Sequence, residues 1–201
     1  EIKGKYPFIE LHDIEGALYD PDDGDIDPAQ LTQALAKGAR MRGVKIIQNT
    51  PITGVLTRNG TVTGVRTDKG EIRSEFVVNC AGMWARQLGE QSGVVIPNQA
   101  AEHYYLITED IEGMSADLPV LEDPSVNAYY REETGGLMIG LFDPDCAPWR
   151  VEGIPEDFSF GEINPDWERM TPFLEKAMSR VPITMEVGLK KFFCGPDSFT
   201  P

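Results

Sequence analysis

"FVVNCAGMWARQLGEQSG" (residues 76–93) is the stretch on which the fold turns. An apolar run closes on Asn79, Cys80, Ala81 and Gly82, with no turn-forming cluster. Trp84 follows, then a helical pattern that runs to about Ser92 and stops at Gly93. The spacing predicts a strand over 76–80 handing over to a helix. Small side chains at a strand's carboxyl end let a backbone or a ligand come close. In open α/β sheets that edge is where ligands dock, and a helix N-terminus beyond it offers N–H groups to an anion. Tight strand–helix packing without any ligand accounts for the same residues equally well.

Working outward, "GALYDPDDGDIDPAQLTQALAKGARMRG" (16–43) predicts a short strand over 16–19 and then a helix. Asp27 sits where an N-cap belongs, Pro28 at the first helical position, and Gly43 at a natural stop. The acidic run 20–27 fails the calcium-loop pattern and reads as a solvated turn. "VKIIQ" (44–48) reads as a strand, and Asn59-Gly60 joins two β-branched runs into a hairpin. Asp68-Lys69-Gly70 adds a second turn, giving a small antiparallel meander before the 76–80 run. In the second half, "AEHYYLITE", "NAYYREE" and "GLMIGLF" read as strands, with a hairpin turn over residues 133–136. A helix carries Trp167, Met170, Leu174, Ala177, Met178 and Val181 on one stripe. Pro172 either kinks it or starts it behind Thr171. "EVGLKKFFCG" closes the chain as a strand.

Composition sets outer bounds. With 201 residues the chain is long enough for one domain or two small lobes. Lys plus Arg number 18 against 33 Asp plus Glu, and the net charge of −15 argues against nucleic acid and anionic membranes as partners. No apolar run reaches the ~20 residues of a bilayer span, and the N-terminus does not read as a signal peptide. Three cysteines far apart (Cys80, Cys146 and Cys194) and two histidines form no zinc pattern. They suggest a reducing compartment: cytoplasmic, or the mitochondrial matrix in a eukaryote. Cys80 and Cys194 read as small buried residues.

The helix opened by "DGDIDP", the following strand and meander, and "VVNCAGMWA" resemble the glycine-oxidase-like, D-amino-acid-oxidase class of FAD-dependent amine oxidoreductases. "AEHYYLITE", "LPVLED", "NAYYRE" and "CGPDSFTP" are similar to its dimethylglycine and sarcosine dehydrogenase or oxidase branch. The resemblance covers nearly the whole chain. It implies an internal segment, with the Gly-rich dinucleotide fingerprint upstream and a flavin-closing stretch downstream. The expected fold is α+β: a mixed, mostly antiparallel sheet with helices, attached to part of an FAD-binding lobe. Residues 1–19 would begin the substrate lobe, 20–97 form the partial FAD lobe, and 98–201 the substrate lobe with its return strand.

The resemblance also implies an activity, oxidative demethylation of an N-methylated glycine with hydride transfer to FAD, and a small-molecule substrate. Tetrahydrofolate would bind a domain outside these residues, and the isolated segment would be inactive. His103 would be the base. By position alone it reads as a hydrogen-bonded wall residue, on one strand face with Tyr105 and Ile107. Tyr129 would be its partner near the flavin, against plain cross-strand packing, and Tyr130 would point to the other face. Ile52 would meet the adenine end of FAD through its backbone, and Ala81 and Gly82 its pyrophosphate–ribose region. Trp84 would wall the flavin pocket or fill core, and Gly195 would begin a loop reaching the flavin. A noncatalytic regulatory relative with the same fold is the alternative, as is an oxidase of another small secondary amine or amino acid.

Overall fold

A computed structural model describes residues 1–200. Its helices are α1 (Ile2–Lys5), α2 (Pro28–Met41), α3 (Ala85–Gln91) and α4 (Trp167–Arg180). Its strands are β1 (Ile52–Arg58), β2 (Thr61–Thr67), β3 (Gly70–Arg73), β4 (Gln99–Thr108), β5 (Leu121–Asp123), β6 (Ala128–Glu133), β7 (Gly136–Leu141) and β8 (Leu189–Phe199). Single 3₁₀ turns lie at Gly82–Trp84 and Pro182–Met185. The fold is α+β. It forms two compact units: residues 1–25, 101–149 and 158–197 make the first, and 26–100, 150–157 and the residues from 198 the second.

The first unit is a sheet in the order β5-β6-β7-β4-β8, backed by α4. The ladders β5/β6, β6/β7 and β7/β4 are antiparallel. Alternation along each strand gives the sheet two unlike faces. Tyr104 and Leu106 of β4, Ala128 and Tyr130 of β6, and Leu137, Ile139 and Leu141 of β7 are buried in one core with Met170, Leu174 and Ala177 of α4. Fully burying such a side chain contributes about 1.5–3 kcal/mol, so this face holds the unit together. Tyr130 points into the core, as its place in the strand predicts, and its hydroxyl donates to the Ala177 carbonyl at 2.7 Å. Tyr130→Phe should therefore cost about 1 kcal/mol in urea unfolding; no measurable loss would mean that bond is not made.

The side chain of Asp166 caps α4 by accepting from the backbone N–H of Arg169 at 3.0 Å. The helix thus starts ahead of Thr171, and Pro172 lies inside it on the exposed side. Two arginines of α4 tie the unit together. Arg169 donates to Glu102 at 2.7 Å and to the Tyr104 hydroxyl at 3.2 Å, and pairs with Asp143. Arg180 is buried, and donates to Asp123 at 2.5 Å, to Asp13 at 2.6 and 3.0 Å, and to the Glu10 carbonyl at 2.8 Å.

In the second unit β1, β2 and β3 form an antiparallel meander. Asn59 (φ 49°) and Gly60 (φ 77°) both adopt the left-handed conformation that a tight hairpin turn requires. Asp27 caps α2, its carboxylate accepting from the Gln30 N–H at 2.7 Å, with Pro28 first in the helix.

Three expected strands are absent. Residues 16–19, 44–48 and 76–80 carry no strand pairing. A strand exists by its ladder, and these runs have no partner among the described residues. Their apolar side chains stay in water: Phe76 is 82% and Val78 81% exposed, and Ile46 and Ile47 are exposed too. Cys80 is likewise exposed rather than buried, while Cys194 is buried as expected. The apolar stripe of α2 is also uncovered, with no buried residue in the helix.

Candidate active site on the open sheet face

The face of the first unit's sheet turned away from α4 carries the two candidate catalytic residues, His103 and Tyr129. Tyr129 of β6 and Tyr105 of β4 both pair in register with Gly140 of β7, so one row reads Tyr129–Gly140–Tyr105. Tyr104 pairs with Leu141, which sets His103 opposite Phe142 in the adjoining row. The rings of His103 and Tyr129 are nearly parallel, 4° between planes, with centroids 6.4 Å apart. Phe142 closes the triangle at 6.2 Å from His103 and 5.3 Å from Tyr129. Tyr105 stacks on Phe193 of β8 at 4.5 Å. The result is a half-exposed aromatic platform with one imidazole in it.

Electrostatics give that imidazole a definite state. Burial lowers the His103 pKa, partly offset by the negative charge of Asp197. His103 is therefore neutral near pH 7 and free to accept a proton. Burial raises the Tyr129 pKa, which keeps its phenol a hydrogen-bond donor. Arg131, two residues along the same strand face, is held by Glu133 at 2.6 Å and Asp25 at 3.0 Å. A lowered histidine pKa means the unfolded chain binds more protons between the two values, so stability rises with pH there. We expect NMR titration to find His103 below the ordinary value of about 6.5, and its contribution to stability to fall away as pH drops through that ordinary value. A titration at or above the ordinary value would contradict the platform's burial of the ring.

The remaining candidates divide. In the second unit Gly82 has φ 55°, and no atom lies within 4 Å of where a Cβ would stand. Glycine is needed there for the backbone conformation, and the space beside it is open. Ala81 and Trp84 share that turn, the Trp84 N–H donating to the Ala81 carbonyl at 3.0 Å. Both are half-buried. Ile52 opens β1, an edge strand of the meander. Gly195 begins no loop: it lies buried within β8, because the chain keeps its strand pairing through to Phe199, and a Cβ there would come within 2.6 Å of the Phe193 ring. Its bareness thus serves the aromatic platform.

Two residues were read without their roles. Asn79 organises the small-residue turn: its side-chain oxygen accepts from the Ala81 N–H at 3.1 Å and its amide donates to the Ala85 carbonyl at 3.0 Å. An asparagine before a helix is itself a turn signal. Phe142 follows β7 on the same alternation as Gly140, so strand parity alone would have placed it on the platform.

The family model described as "DAO: FAD dependent oxidoreductase" matches residues 1–201. The chain belongs to the FAD-dependent oxidoreductase family. Within it the chain is 38% identical to mitochondrial sarcosine dehydrogenase of Homo sapiens, over 100% of this chain and 22% of that protein. It is 33% identical to mitochondrial dimethylglycine dehydrogenase of Rattus norvegicus, over 100% of this chain and 24% of that protein. The mitochondrial pyruvate dehydrogenase phosphatase regulatory subunit of Mus musculus is 34% identical, over 98% of this chain and 23% of its own length. The chain thus spans 22–24% of the length of these relatives. The fold agrees with L-proline dehydrogenase from P. horikoshii: TM-score 0.81 at 23% identity, over 100% of this chain and 51% of that one. An FAD-dependent family is in keeping with what the residues offer. Open space adjoins Gly82 in one unit, and a planar aromatic surface with a neutral imidazole lies on the other.

Proposed function

We propose that this chain is the substrate-facing segment of a flavoprotein that oxidatively demethylates an N-methylated glycine, sarcosine or dimethylglycine. The observation that carries the reading is the parallel pairing of His103 with Tyr129 on an open face, with the His103 pKa lowered. A secondary or tertiary amine is mostly protonated near pH 7 and cannot release hydride until its ammonium proton leaves. His103 takes that proton, as a neutral imidazole on this face can. Tyr129 donates a hydrogen bond that orients the substrate carboxylate or His103 itself. Phe142 flanks the pair with apolar surface, and Tyr105 lies in the same row across Gly140 from Tyr129.

FAD, when bound, supplies the two-electron acceptor. Ile52, through its backbone, and Ala81, Gly82 and Trp84 would hold it. Tetrahydrofolate would bind outside these residues, and a eukaryotic member would work in the mitochondrial matrix. One methyl group separates the two substrates, about 1–3 kcal/mol in a pocket.

The test is anaerobic mixing of the flavin-loaded full-length protein with sarcosine, dimethylglycine or buffer. Bleaching of the flavin band by either amine supports the reading. A second reading has one specific observation behind it, the likeness to a protein named as a regulatory subunit. A flavin that binds and stays oxidised with both amines would overturn the demethylation reading; one that also stays oxidised with other small secondary amines and amino acids would favour that noncatalytic role.

A further inference from the structure

The geometry points to Gly140 as the positioning residue of the site: its missing side chain is what lets the Tyr129 ring lie across β7 and stay parallel to His103. This rests on the reading of His103 and Tyr129 as the reactive pair. A Cβ built on Gly140 would stand 1.9 Å from the Tyr129 ring carbons Cε1 and Cζ and 2.4 Å from its hydroxyl. No real contact is that short, so any side chain at this position must displace the ring. Gly140 is not in the left-handed region, unlike Gly82 or Gly135, so its backbone gives no reason for glycine. Gly140 is the register partner of Tyr129 on one side and of Tyr105 on the other. It is the low point of the row, over which Tyr129 folds flat. Displaced, the Tyr129 ring would lose its 4° alignment with His103 and its contact with Phe142.

A double-mutant cycle separates this role from ordinary strand preference. Alanine is the better strand residue where space allows, because glycine loses more backbone freedom on folding. Gly140→Ala should therefore lower the urea midpoint in the native background, and leave it unchanged or raise it in Tyr129→Ala, where the clashing ring is gone. Equal shifts in both backgrounds would overturn the proposal. The second readout is the His103 ring signal by NMR, identified by the loss of the other histidine's signal in His12→Gln. Gly140→Ala should move the His103 titration upward, as Tyr129→Ala should by uncovering the same ring, and add nothing in the Tyr129→Ala background. An unmoved His103 titration in folded Gly140→Ala would also overturn it. Should Gly140→Ala alone fail to fold, recovery of folding by added Tyr129→Ala supports the clash, and no recovery refutes it. Neither readout involves flavin or amine, so failure here is distinct from failure of the proposed activity.

Discussion

Replacing His103 with glutamine should slow substrate-driven flavin reduction by about 10²–10⁴-fold, the usual worth of a positioned general base. Glutamine keeps a hydrogen-bonding group of similar reach and cannot take up the ammonium proton. The loss should lie in the reduction step, with amine binding less affected, because the proton moves on the way to the transition state. The pH profile carries the sharper signature. Native reduction should rise as pH passes through the lowered His103 pKa, below the ordinary value of about 6.5. In His103→Gln that limb should vanish, leaving the substrate's own ionisation. Stopped-flow reduction across pH checks both statements; native rates and an intact limb in the variant would remove His103 from the mechanism.

Arg180→Met should destabilise the protein by about 3–5 kcal/mol, the cost of leaving a buried carboxylate without its cation. Asp123 is the stranded group, 7% exposed and bonded to the Arg180 Nε at 2.5 Å. Burial pushes the Asp123 carboxyl up, but the Ser125 hydroxyl and N–H and then Arg180 outweigh it and hold it below the usual range. The hydrogen bond from Arg180 lowers Asp13 as well. A depressed carboxylate stabilises above its unfolded pKa, about 3.9, and that gain is lost as pH falls through the lower folded value. The gap between native and Arg180→Met should therefore narrow in acid. Urea unfolding at pH 7 and below pH ~4 checks this; a gap independent of pH would mean the loss comes from packing instead.

What the sequence discloses divides by the distance between partners. Asn59-Gly60 announces its hairpin and Asp27-Pro28 its helix because both signals act within a few residues. The parity of "AEHYYLITE" and "NAYYREE" puts His103 and Tyr129 on definable strand faces, and the register then brings them together. Residues 44–48 and 76–80 look equally strand-like, yet a ladder needs a partner that local sequence does not name. Arg180 and Asp13 meet across 167 positions, so nothing local marks them as a pair. Gly140 reads as an ordinary weak spot in a strand until the register shows which ring rests on it.

The uncovered runs around Phe76 and Val78 and around Ile46 and Ile47 bear on handling the chain as an isolated polypeptide. Apolar, exposed and unpaired, each is a template on which a second molecule can add a strand. Self-association should then grow with protein concentration, and its nuclei would be these runs, not the platform that carries His103.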